Sequence, residues 1–222
     1  MDIGNNISEI YASLPSGVKL VAVSKFHPAE TVKMAYDAGH KIFGESRVQE
    51  LTAKQPALPE DIEWHFIGTL QTNKVKHIAP FVSMIQSVDS LKLMREIDHQ
   101  AEKFNRKIRI LIEIHIAEEE SKHGFTPDEC KTLFSDGTVT QFSNIQVCGL
   151  MGMATFTDDM EQVKCEFGKL RLLFDEIKSM PMTDKSAFSE LSMGMSDDYK
   201  TAIEEGSTIV RIGTAIFGAR EY

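Results

Sequence analysis

The chain has 222 residues, 42% hydrophobic and 26% charged, a globular composition long enough for one sizeable core and short for two domains. Its 24 Lys and Arg against 33 Asp and Glu leave a net charge of −9, which argues against a nucleic-acid partner, since that needs a basic face. A small anionic ligand stays open, because it feels local donors rather than net charge.

The N-terminal MDIGNNISEI has neither a basic start nor an apolar core, so no signal peptide is expected. No apolar run approaches the ~20 residues that span a bilayer, and no membrane partner is expected. Cys130, Cys148 and Cys165 are too few and too scattered for a disulfide framework or a zinc site, and read as packing residues. A cytoplasmic protein without a bound metal is the expectation.

Short β-rich runs then alternate with helical patterns along the whole chain. The strand candidates are 19–24 (KLVAVS), 41–43, 64–67, 83–86, 108–115, 145–150, 187–191 and 207–211. Several are near-continuous apolar runs, as in parallel strands covered by helices. Pro28 stands where a first helical turn begins, and Gly39 and Gly206 where helices stop. Met94, Ile97, Ala101 and Phe104 form one apolar helical stripe, and Met160, Val163, Phe167, Leu170, Phe174 and Ile177 a longer one. Eight strands alternating with helices predict a single (β/α)8 TIM barrel over residues 1–222, with a doubly wound open sheet as the alternative.

Active sites of such barrels lie at the C-terminal ends of the strands, so the residues after each strand carry the chemistry. Lys25 directly follows KLVAVS; there its amine is either a Schiff-base nucleophile in the barrel mouth or a solvated strand-end charge. After the seventh strand comes LSMGMSDD and after the eighth RIGTAIFG. Both turns combine glycine and hydroxyls, which lets backbone N–H groups approach an anion, and barrel phosphate sites are frequently built from these two loops. Ser192, Gly213 and Thr214 are the chosen donors, with Arg211 adding charge. Each turn alone is an ordinary glycine-containing connection. Strands one and eight are neighbours in a closed barrel, so lysine and phosphate site share one mouth, which fits pyridoxal 5′-phosphate (PLP). GESRVQE after strand two and HFIGTLQTNK around strand three read equally well as cofactor-facing or as solvated helix caps. His65 and His115 fall on strands and receive no role.

In order, VAVSK, FGESRVQE, WHFIGTLQTNK, GLMGMATFTDD, LSMGMSDD and VRIGTAIFGAR resemble the PLP-binding homeostasis protein family, single barrels related in fold to the N-terminal domain of alanine racemase. The match runs from about residue 18 to 220. The resemblance implies that Lys25 holds PLP as an internal aldimine, that Ser192, Gly213 and Thr214 hold its phosphate, and that Arg211 lies against either the ring nitrogen or the phosphate. It departs at Ser46, where the family often has asparagine, and after strand five, where His115 and Lys122-His123-Gly124 replace an asparagine and a KSG run.

The resemblance further implies a role in vitamin B6 and amino-acid homeostasis without an established catalytic turnover. PLP-dependent apoenzymes are then the expected recipients and a monomer the expected state. A PLP-dependent amino-acid racemase is the alternative, but it needs a base opposite the lysine. None of Tyr11, Tyr36, Tyr199 and Tyr222 falls in a segment expected at the mouth. A Schiff-base aldolase gripping a sugar phosphate is a third reading.

Overall fold

The computed structural model describes residues 2–117 and 123–218. Its strands are β1 (Lys19–Val23), β2 (Ile42–Glu45), β3 (Glu63–Phe66), β4 (Met84–Val88), β5 (Ile108–Ile114), β6 (Ile145–Gly152), β7 (Glu190–Ser192) and β8 (Ile209–Ile212). They close into a parallel barrel in sequence order. Lys19–Ala22 of β1 pair with Ile209–Ile212 of β8, which removes the open-sheet alternative.

Helix α1 (Ile3–Ser13) precedes the barrel. One helix then follows each strand: α2 (Ala29–Asp37), α3 (Val48–Lys54), α4 (Val75–Ile78), α5 (Leu91–Lys103), α6 (Pro127–Ser135), α7 (Met160–Ser179), α8 (Tyr199–Glu204) and α9 (Thr214–Phe217). All eight strands lie where the apolar runs put them, with shifted ends. The 187–191 candidate starts late, at Glu190, because the Ala187 and Phe188 N–H groups turn back onto the Asp184 carbonyl at 3.1 and 2.8 Å. Ser207 likewise closes α8: its N–H reaches the Ala202 carbonyl at 2.9 Å around Gly206, whose φ of 90° fits a residue without Cβ.

The α7 stripe buries Val163, Phe167, Leu170, Phe174 and Ile177 against the barrel wall. Met160 is the exception, 41% exposed at the first turn and facing the mouth. Phe104 also departs from its predicted face, because α5 ends at Lys103 and leaves it half exposed. Cys130 and Cys148 pack as expected, whereas Cys165 is exposed on α7.

Inside the barrel, Val21, Met84, Leu111, Cys148, Met151 and Ile209 form a buried apolar layer. Below it Glu190 pairs with Lys19 and, at 3.4 Å, with Arg109. Above it the interior turns polar, and that change sets the site at the C-terminal end of the strands.

Candidate functional site

A cavity of about 440 Å³ opens there, within the ~300–1,000 Å³ usual for small-molecule sites. Lys25 enters it from the end of β1, Arg211 from β8, and Gly213 and Thr214 from the turn into α9. Ser46 and Ile67, beyond β2 and β3, line it too. Residues 153–158 with Met160 add an outer wall that mixes Met153, Phe156 and Met160 with Thr155, Thr157 and Asp158. Four of the five residues singled out in the sequence therefore share one cavity. Gly213 brings the β8 turn against the end of β1: a Cβ there would meet the Val23 carbonyl oxygen at 3.1 Å.

Ser192, the fifth, is not among the residues that line the cavity. It ends β7 pointing inward and is fully buried, so the cavity does not reach it. Its hydroxyl donates to Gln86 Oε1 at 2.6 Å and accepts from Arg211 Nη1 at 2.6 Å. The serine of that loop that lines the cavity is Ser196, whose Oγ accepts the Gly213 N–H at 3.4 Å. Between the two serines the chain swings outward at Gly194, with φ of 93°. A Cβ at Gly194 would lie 2.5 Å from that of Ala202, so α8 can pack only on glycine.

Arg211 is fixed from below. Nη1 donates to the Ser192 carbonyl at 2.9 Å and Nη2 to the Gly152 carbonyl at 3.0 Å. Burial lowers its pKa to about 10 against the opposing pull of Asp198 and Glu113, so it keeps its charge at neutral pH. The chain of bonds continues from Ser192 through Gln86 to His65 Nδ1, 2.8 Å from Gln86 Nε2. With Nδ1 as acceptor the ring proton sits on Nε2, which is buried without a partner. Burial, helped by Arg109 and Lys19, holds His65 near pKa 3 and hence neutral. Glu113 is pushed up to about 7 by burial and then by Asp89, against Arg211 and His123.

The two undecided segments divide their residues. Ser46 and Ile67 line the cavity, whereas Thr72–Lys74 form a 3₁₀ turn leading into α4. Gly68 is needed for close approach, since a Cβ would lie 2.3 Å from the Ser46 carbonyl oxygen. After β5, His115 donates its N–H to the Phe125 carbonyl at 3.0 Å, while Lys122 lies outside the described residues.

The family model for the alanine racemase N-terminal domain matches residues 2–221. A pyridoxal phosphate homeostasis protein of Aquifex aeolicus is 44% identical over 205 residues, covering 92% of this chain and 88% of its own. The chain belongs to the pyridoxal phosphate homeostasis proteins. Another homeostasis protein, from Synechocystis, is 38% identical and covers 96% of both chains. The solved structure of PipY from Synechococcus elongatus with PLP bound superposes with a TM-score of 0.87 at 33% identity, over 97% of this chain and 100% of PipY. An alanine racemase of Clostridium difficile superposes at 0.79 with 15% identity, over 100% of this chain but 57% of the racemase, and shares the fold alone.

In this homeostasis protein three tyrosine hydroxyls are engaged away from the cavity. Tyr11 meets His40 Nδ1 at 2.9 Å, Tyr36 donates to Asp61 at 2.6 Å, and Tyr199 meets Ser13 at 3.2 Å. Tyr222 lies outside the described residues. No helix among the described residues is long and apolar enough to cross a membrane.

Proposed function

We propose that this chain binds PLP in the barrel mouth with Lys25 as its covalent anchor, and holds or passes on the cofactor in vitamin B6 homeostasis. The observation that carries the reading is the meeting of one primary amine, Lys25, with the donors Ser196, Gly213 and Thr214 in one cavity above a buried arginine. The names of its relatives and the PLP bound by PipY support it.

When bound, the cofactor supplies a phosphate and an aldehyde that condenses with a primary amine, the carbonyl oxygen leaving as water with the amine's two protons. Lys25 presents that amine from the end of β1. The Ser196 and Thr214 hydroxyls and the Thr214 backbone N–H would take the phosphate, joined by the Gly213 N–H on leaving Ser196 Oγ. In this proposal Ser196, which lines the cavity, is preferred to Ser192. Arg211, turned down onto two carbonyls, keeps a positive charge in the floor and would disfavour a second cation above it, so a heteroaromatic nitrogen placed there would stay unprotonated.

A racemase needs a second base facing Lys25, and the hydroxyls of Tyr11, Tyr36 and Tyr199 are bonded elsewhere. Holding and release is therefore the favoured reading, with PLP-dependent apoenzymes as recipients and a monomer as the working state.

Equilibrium dialysis of PLP tests the reading on the wild type, Lys25→Ala and Thr214→Val. Loss of one hydrogen bond to a charged group costs roughly 1.5–3 kcal/mol, so Thr214→Val is expected to bind about 10- to 150-fold more weakly. Lys25→Ala is expected to keep only the non-covalent share. Wild-type affinity in both variants would contradict the proposal.

A further inference from the structure

Lys25 stands between two residues that α3 and β2 hold in place, and the holding groups are charged. Ser24 and His27 close a turn, His27 N–H to Ser24 carbonyl at 3.1 Å, with Lys25 and Phe26 as its central residues. Phe26 has φ of 68°, at the position where turns of type II take glycine. A bulky aromatic residue there persists only where its surroundings over-determine it.

Those surroundings come from the FGESRVQELTAK segment. Glu50 Oε2 accepts the Phe26 N–H at 2.8 Å, and the Arg47 guanidinium lies over the Phe26 ring, 4.6 Å from its centre. On the other side, Lys54 Nζ donates to the Ser24 carbonyl at 2.9 Å and to Glu45 Oε1 at 2.6 Å, and the Ser24 hydroxyl donates to the same carboxylate oxygen at 2.7 Å. Lys54 and Glu50 also meet at 3.5 Å, one helical turn apart on α3. Glu45 and the Lys54 side chain are almost wholly withdrawn from water, at 0% and 8% exposed, and Glu45 Oε2 has no partner.

Burying such a pair is no efficient route to stability, since apolar residues of like volume often serve as well. What the charges achieve here is directional: they take the carbonyl before Lys25 and the N–H after it. We propose that Glu50 and Lys54, with Glu45, are positioning residues that fix the backbone on both sides of Lys25 and so aim its amine at the cofactor's aldehyde. The inference rests on the proposed role of Lys25 and adds residues that do not line the cavity.

The test separates the aldehyde from the rest of the ligand. PLP and pyridoxine 5′-phosphate, which lacks the aldehyde, are titrated against the full chain and its Glu50→Ala and Glu50→Gln variants, with thermal melts confirming the fold. Glu50→Ala is expected to weaken PLP at least tenfold and to leave pyridoxine 5′-phosphate within twofold. Glu50→Gln keeps an oxygen for the Phe26 N–H and is expected to restore most of the difference. The paired change Lys54→Met with Glu45→Gln, which strands no lone buried charge, is expected to behave like Glu50→Ala. Unchanged PLP affinity in Glu50→Ala, or equal losses for both ligands, would overturn the brace. Wild-type protein that binds the two ligands equally would instead overturn the anchor at Lys25, and the brace with it.

Discussion

Two serines four residues apart, Ser192 and Ser196, stand in different surroundings. Ser196 lines the cavity, whereas Ser192 joins Arg211 to Gln86 beneath it. Ser196→Ala is expected to weaken competition by inorganic phosphate for the site, and Ser192→Ala to leave it within twofold. Ser192→Ala instead strands buried partners and is expected to cost about 1–3 kcal/mol of stability in urea unfolding. Reversed effects would place the phosphate role at Ser192. Glu113 gives a pH signature. Its folded pKa of about 7 stands above the ordinary 4.5, so the folded state holds that proton more tightly. Its contribution to stability is full below pH ~4.5 and is lost as pH rises through 7, by roughly 3 kcal/mol at most. Glu113→Gln is expected to flatten stability against pH in that window. A slope equal to wild type would place the titration elsewhere.

At the level of elements, legibility follows length and periodicity. The β5 and β6 runs and the α7 stripe are long enough to be read directly. Phe167 is fully buried in that stripe, so Phe167→Ala is expected to cost ~3–5 kcal/mol, against ~0.5 or less for Leu172→Ala on the exposed face. Similar costs from both would mean that α7 packs on another face. Helix α1 escapes notice because IGNNISEIYAS carries only Ile3, Ile7 and Ile10 as its buried face among polar residues. The four-residue α4 and α9 are too short to show a period. Within the site, Lys25, Arg211, Gly213 and Thr214 are legible because they stand at or directly beyond the ends of their strands. Ser196 is not, because choosing it requires knowing that β7 stops at Ser192 and that the chain turns at Gly194. Glu50 and Lys54 look like any (i, i+4) helix pair; only the folded chain turns them onto the peptide around Lys25.

Across the whole molecule, closure of the barrel is what makes one site out of distant segments. Pairing of β1 with β8 sets the Lys25 turn beside the Gly213–Thr214 turn, although they are separated by most of the chain. The net charge of −9 does not oppose an anionic ligand, because Arg211 and the backbone donors act locally. The central claim, Lys25 as the anchor for PLP, is tested most directly by borohydride reduction of the PLP-loaded protein followed by peptide mass mapping. A single pyridoxyl adduct on Lys25, lost in Lys25→Ala, is the predicted result. Adducts scattered over surface lysines, or a Lys25 peptide of unchanged mass, would contradict it.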